Sequence, residues 1–564
     1  MLKRIVTKLP ALCALTLALS VIACRNEPLA VRNTDQPGLP RSPSEEETFI
    51  SKLMQQEWNS HQGVSGNIAT QASVLSLESY SALANFSMGA RATIPRGTIS
   101  NSLGNSAQTE NFRDYDFLTR NGRSAANLIK GLQAFIAAGQ TTGTNATNTR
   151  DLSFAYYALG YAIGYVSLIY DSTAIATPQL ETSEIPPLST SKAGIVAALQ
   201  MLDSAQKYAA GMAVIPGGWV SGSDINEARW IQIIRSHRAR FRTSVARTPT
   251  ERAAVDWNAV IADAAAGITT DFIINADATT GWFTGWRSQF AVGTTWSQMT
   301  PMLLGMGDTS KVGDPLGSYA DWVRQSLAGK TPFLMRTPDL RFPSGESRTA
   351  QQAYTGTSRA GPPNGCVATV VTPARCAILY FRNRILGEDN VGGDPFGIWY
   401  YDNWRFWTIR DKAGNGPIIE MSIAENDLLR AEGLIRTGKI AEAAVLIDKT
   451  RTRSGLPGVT GIADLTTPVP GGSACVPRVP VPPAHVATTQ LVCGNIFEAL
   501  KWEKRLETAF TGYAQWYFDN RGWGDLPQNT VYEWPVPWQD LSARLNTNFY
   551  TTTGSRAGPS TYGF

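Results

Sequence analysis

"RTGKIAEAAVLIDKTRTRSGLP", Arg436 to Pro457, decides the fold. Gly438 interrupts one helical pattern and a second begins, with Ala441, Ala444 and Ile447 recurring at the spacing of a single helix face. Arg451 and Arg453, close to the end of that second helix, suit its negative dipole and can reach its last carbonyls. Gly455 and Pro457 then stop it. The stretch reads as a helical hairpin whose small residues let two helices touch, a scaffold and not a place of chemistry.

The same spacing recurs on both sides. Glu46 to Ser60, Ser124 to Gly139 and Thr190 to Ala210 place apolar residues three and four apart. In Asn495 to Phe510, Ala499, Trp502, Leu506 and Ala509 share a face. The apolar run Phe154 to Tyr170 admits two readings. Gly160 and Gly164 form a small-xxx-small pair that in a bilayer would favour helix dimerisation. A helix buried on all sides explains the run as well, and small residues among large aromatics resemble the first helix of a tetratricopeptide hairpin. Frequent Tyr and a length at the lower limit for spanning favour the buried helix.

With 564 residues, 43% of them hydrophobic and 17% charged, the chain can bury a large core. Its start, "MLKRIVTKLPALCALTLALSVIAC", sets Lys3, Arg4 and Lys8 before a short apolar run and ends Val21-Ile22-Ala23-Cys24. That is the pattern of a secretory signal closing on a lipobox, with the Cys24 thiol as the acceptor of a diacylglycerol. Without those three basic residues the chain carries 47 basic against 46 acidic side chains. No nucleic acid or other polyanion partner is implied. The basic stretch Ala228 to Arg252 interleaves Arg with Trp230, Ile233, Ile234, Phe241 and Val245, which reads as a solvated face over a buried stripe.

Four cysteines remain beyond Cys24, an even count in an exported chain. Proximity pairs Cys366 with Cys376 and Cys475 with Cys493, each closing a Pro-rich loop. Three histidines, His61, His237 and His485, give no metal-ligand spacing, and no cofactor is expected. No Gly-x-Ser-x-Gly, His-Glu-x-x-His or Gly-x-Gly-x-x-Gly motif is present, and "AGKT" at Ala328 to Thr331 lacks the upstream Gly of a phosphate loop. A glycosidase needs only two carboxylates at a set separation, so a secreted glycoside hydrolase stays a rival reading. A tetratricopeptide adaptor that binds only proteins is the other.

The middle of the chain, Pro216 to Gly416, is richer in Gly, Trp and Pro, the composition of long functional loops. Two stretches there join flat apolar faces to fixed polar groups, as a binder of sugars or peptides requires. In Gly281 to Trp296 these are Trp282, Phe283, Trp286, Arg287 and Trp296, with Gln289 beside them. In Gly392 to Trp407 they are Trp399, Tyr400, Asn403 and Trp404, with Asp394, Phe396, Asp402 and Arg405.

Taken together these segments resemble the SusD/RagB family of surface lipoproteins over nearly the whole mature chain. Ala431, Glu432, Gly438, Ala441, Ala443, Ala444, Arg451, Arg453, Gly455, Leu456 and Pro457 follow the order of the family's helical hairpin. Glu503, Arg505, Glu507, Phe510, Gly512, Trp516, Arg521, Trp523 and Gly524 follow its second signature, and "VYEWPVP" from Val531 resembles its closing strand. Gln515 and Asp448 depart from the pattern, which has a basic residue and Asn there.

The resemblance implies a mainly α, SusD-like fold of tetratricopeptide-like hairpins with a loop-rich ligand-binding region. It implies an outer-membrane lipoprotein facing the cell exterior, without enzymatic activity. Such a protein delivers an oligosaccharide or peptide nutrient to a SusC-like TonB-dependent transporter. The expected organisation is a signal peptide over 1–23, a lipidated tether over 24–45, a helical region over 46–270, the loop-rich region over 271–416, and a C-terminal region over 417–564 that completes the scaffold. Glu503, Arg505 and Glu507 read as a structural ion-pair network.

Overall fold

Polar caps start the helices. Side chains of Asn67, Thr144, Thr190, Asn226, Asp256, Ser422 and Asn495 each accept a backbone N–H of the first turn that follows, which satisfies a donor that the helix itself leaves open. The computed structural model describes residues 42–62, 67–79, 91, 96–105, 108–285, 299–310, 333–355, 366–367, 369–370, 372–383, 401–406, 409, 414–480, 491–550, 556–558 and 560. From Pro43 onward they belong to one packing unit. The expected signal peptide, Cys24 and most of the tether lie outside the described residues.

Three helices come first: α1 (Pro43–Ile50), α2 (Leu53–His61) and α3 (Ile68–Leu75). Then α4 (Gln108–Ala137), α5 (Asn145–Ile169), α6 (Ser191–Ala209), α7 (Glu227–Ser244) and α8 (Trp257–Ala265) each pack on the next. The fold is mainly α, as the apolar spacing predicts.

α5 carries the apolar run that admitted two readings. It is long and apolar enough to cross a membrane, yet its apolar window is wholly buried among α4, α6 and α7. Its two glycines permit that packing. A Cβ on Gly160 would lie 3.0 Å from the Ala198 carbonyl oxygen of α6, and one on Gly164 would lie 2.3 Å from the Phe241 ring of α7. The close approach that small residues allow is therefore spent inside the protein.

After α8 the chain leaves the helical row and later rejoins it. Strand β1 (Phe272–Ala276) pairs antiparallel with β4 (Gly416–Met421), with a register shift at Phe272/Ile273. Between them β2 (Phe381–Asn383) pairs with β3 (Tyr401–Asn403). Residues 277–415 thus enter and exit through one ladder, and α9 (Ile423–Arg436) packs back onto α8. The loop-rich region is an insertion into a continuous row of helices. The row then closes with α10 (Ile440–Arg451), α11 (Ile496–Thr508) and α12 (Gln515–Trp523).

The hairpin of α9 and α10 shows two departures from its sequence reading. Ala443 and Ala444 are buried with Leu446 and Ile447, whereas Ala441 is exposed, because it shares the outward face of α10 with Val445, four residues on, which is also exposed. Arg451 does not bond the carbonyls of its own helix end. Its guanidinium donates to Pro457 O at 2.7 Å and Val476 O at 2.6 Å in the loop that follows. Gly455 adopts a φ of +76°, the left-handed conformation that ends the helix.

Disulfides join Cys366 to Cys376 and Cys475 to Cys493. The basic stretch is less solvated than its composition predicts. Trp230, Ile233, Ile234 and Phe241 are buried, but so are Arg240 and Arg252. Arg240 Nε donates to Glu425 at 2.7 Å, and Arg252 Nη2 donates to Glu432 at 2.6 Å and Asp519 at 3.0 Å. A guanidinium can turn inward when a carboxylate on a neighbouring helix meets it.

Candidate functional site

The first aromatic stretch begins where β1 ends. Asp277 and Trp282 form a bridge, and α2 grips the turn between them and the residue beyond. Gln55 Nε2 donates to Thr280 O at 2.7 Å, Asn59 Nδ2 to Gly281 O at 2.8 Å, and Trp58 Nε1 to Phe283 O at 2.7 Å; Asn59 Oδ1 accepts the Phe283 N–H at 3.2 Å. Four hydrogen bonds from one helix face fix this root, and the Trp282 ring packs 6.3 Å from the Trp58 ring. Thr284 Oγ1 donates to Gly414 O, next to β4.

The second stretch contains β3, which the ladder holds beside β2, with Asn383 opposite Tyr401. Trp404 N donates to Tyr380 O at 2.7 Å, and the Arg382 guanidinium lies 4.6 Å from the Trp404 ring centre. Tyr401 supplies the link between the stretches. Its carbonyl accepts the Met299 N–H at 3.0 Å, and its hydroxyl accepts the Met335 N–H at 3.0 Å and donates to Gln351 Oε1 at 2.5 Å. Segment 285–298 therefore starts at the Gly414 contact and ends at the Tyr401 contact. Residues 383 and 401, which flank segment 384–400, are paired in the β2/β3 ladder. The end of the first stretch therefore meets β3, the strand that carries part of the second.

Of the predicted ligand-binding residues, the structure places four. Phe283 is 46% exposed and offers a ring to solvent. Trp282, Asn403 and Trp404 do not: they are 3%, 2% and 4% exposed, which corrects their reading as ligand contacts. Trp282 and Trp404 fill the loop roots instead, because a ring at the base of a loop is shielded by the elements that hold it. Asn403 Oδ1 accepts the Arg405 N–H at 3.0 Å and shapes the turn after β3. Trp286, Arg287, Trp296, Trp399 and Tyr400 lie outside the described residues.

A buried ion network joins the insertion to the row of helices. Arg341 donates to Asp339 at 2.7 Å, to Glu503 at 2.8 Å and to Glu507 at 3.2 Å, all four side chains being enclosed. Asp339 also accepts the Trp502 indole N–H at 2.9 Å. Glu507 accepts the Tyr380 hydroxyl at 2.9 Å and Arg453 Nη2 at 2.6 Å. The Arg405 guanidinium lies 4.4 Å from the Tyr380 ring centre and donates to Glu507 O at 2.9 Å. Burial raises the Glu507 carboxyl, but Arg405, Arg341 and Arg453 outweigh it and hold Glu507 below its ordinary range. At Glu503 burial wins over Arg341, and its pKa rises. On the same helix Arg505 bonds Asn520 at 3.0 Å and pairs with Asp525. Glu503, Arg505 and Glu507 bond partners that hold the insertion and α12 in place.

Sequence reasoning did not find Asp339, Arg341 or Tyr380, nor the grip of Gln55, Trp58 and Asn59, and it read Arg405 as part of the ligand-binding stretch and not of this network. Each lies far in sequence from what it holds, and none stands in a motif.

No protein-family model matches the sequence, and comparison with curated proteins finds none similar to it. Solved structures do match. A SusD superfamily protein from Bacteroides thetaiotaomicron VPI-5482 shares 12% identity at a TM-score of 0.51, over 89% of this chain and 96% of that one. A SusD homolog from Parabacteroides distasonis ATCC 8503 shares 14% identity at a TM-score of 0.51, over 84% of each chain. At such identities the likeness is one of architecture, and it spans almost the full length of both partners. The chain has the SusD-like, mainly α fold.

Proposed function

We propose that this chain is a SusD/RagB-type surface lipoprotein that captures an extracellular oligosaccharide or peptide and passes it to a SusC-like TonB-dependent transporter. The observation that supports the reading is the contact of Met299 with Tyr401, where the end of the first aromatic-rich segment meets the strand that carries part of the second, on a SusD-like frame. Phe283 supplies one ring, and Trp286, Trp296, Trp399 and Tyr400 supply the others. Arg287 adds a donor for hydroxyls or amides. Such a surface holds the C–H faces of a ligand and has no need of a cofactor or a reacting group.

Cys24, acylated after removal of residues 1–23, would anchor the chain to the outer membrane, with the Pro-rich tether holding the folded body off the lipid. Energy for uptake comes from the transporter. The task of this chain is then a matched affinity, tight enough to collect and loose enough to release.

The test uses the full-length chain on arrays of glycans and peptides. Phe283→Ala, Trp286→Ala and Trp399→Ala should each weaken retention of the same ligand about tenfold, the cost of one ring's apolar contact. Retention that none of the three changes would remove the aromatic segments from the site. Cys24→Ser should release the protein from the membrane fraction, with loss of the acyl mass.

A further inference from the structure

A cavity of about 330 Å³ lies at the C-terminal end of α12, and none of its lining residues belongs to the loop roots. Pro249, Arg521, Trp523, Leu526, Tyr532 and Gly558 are on its wall. Arg521 sets it apart. The enclosed guanidinia of Arg240, Arg252, Arg341 and Arg505 each meet a carboxylate within hydrogen-bond reach, and Arg451, which bonds carbonyls, still has Glu503 at 3.9 Å.

Arg521 has three carbonyl oxygens in place of one. Nη1 donates to Leu168 O at 3.0 Å and Tyr532 O at 2.5 Å, and Nη2 to Ser244 O at 2.8 Å. Its Nε is buried and has no partner. The nearby Glu533 carboxylate is engaged by Arg247. Carbonyl dipoles satisfy donors but do not neutralise a charge, so positive potential remains at the wall. Burial, with the like charge of Arg247, pulls the Arg521 pKa down to about 10 against the opposing pull of Tyr517 and Glu533.

We propose that this cavity binds a small carboxylate, with Arg521 supplying the attracting charge, Tyr532 a phenol, and Trp523, Pro249 and Leu526 the apolar walls. The volume is at the lower end of small-molecule pockets, which begin at about 300 Å³. It fits a single acidic sugar or the C-terminal end of a short peptide. Both present the same group to the wall.

The test is calorimetric titration of the full chain with galacturonate, galactose, Ala-Ala dipeptide and Ala-Ala amide. One variant adds bulk at the cavity without touching the core: Gly558 lines it and a Cβ there meets no atom within 4 Å, so Gly558→Trp brings an indole to the lining without a clash. Tyr532→Phe is the second variant. The proposal predicts that galacturonate or the dipeptide binds, that its neutral counterpart binds at least about tenfold more weakly, and that Gly558→Trp costs about tenfold or more. Tyr532→Phe should weaken binding in the same direction. Which acid binds tells the sources apart.

The proposal is overturned if neither acid binds, if acid and neutral forms bind alike, or if Gly558→Trp leaves binding unchanged. Phe283→Ala combined with Trp286→Ala should leave acid binding intact. Acid binding lost in that pair would place the carboxylate at the loop segments, which overturns this proposal and leaves the proposed function standing.

Discussion

Arg341 sits enclosed among Asp339, Glu503 and Glu507, and the insertion and α11 meet through it. Removing the cation leaves buried carboxylates facing one another without compensation, so Arg341→Met should lower stability by about 3–5 kcal/mol in urea unfolding. A loss within the error of the fit would mean that the network does not join the two parts. Glu46 gives a second prediction. Burial raises its pKa from 4.5 to about 8. Between those values the folded chain keeps a proton that the unfolded chain has released. The stability this gives is fully present below about 4.5 and is lost as pH rises through 8. Asp114, raised by burial to about 7, acts in the same direction, so the comparison must isolate Glu46. The urea midpoint of Glu46→Gln should gain on that of the wild type from pH 5 to pH 8. A constant difference would contradict the assignment.

The elements were largely legible in the sequence, and the reasons are local. Caps such as Thr144 and Asn495 and the three-to-four apolar spacing are properties of neighbouring residues, so α5, α9, α10 and α11 can be found without knowing what they touch. Burial of charge was not legible. Arg240 and Arg252 follow the pattern of a solvated face and are enclosed, because their partners Glu425 and Glu432 stand on a helix remote in sequence. The ladder of β1 with β4 was hidden for the same reason, as was the enclosure of Trp282 and Trp404. Gly164 tests the packing of α5 directly. Its missing Cβ would lie 2.3 Å from the buried Phe241 ring, so Gly164→Ala should destabilise by about 1–3 kcal/mol through overpacking. Gly104→Ala, where a Cβ meets nothing within 4 Å, should stay within about 0.5 kcal/mol of wild type. Equal effects at both would deny the close contact.

At the scale of the molecule, the insertion between α8 and α9 is held by the β1/β4 ladder, the α2 grip and the Arg341 network. Those ties predict one cooperative unfolding transition, with tryptophan fluorescence and helical circular dichroism changing together. Two separated transitions would show the insertion melting by itself. In the function proposed above, a SusD-like frame supplies rigidity and the aromatic segments supply grip, without chemistry on the ligand. That claim is tested most directly by incubating the full chain with a library of defined oligosaccharides and peptides, isolating the protein, and measuring the masses of what it holds. The account predicts one ligand class retained at unaltered mass by the wild type and lost from Phe283→Ala with Trp399→Ala. Shortened products, or equal retention by the wild type and that double variant, would contradict it.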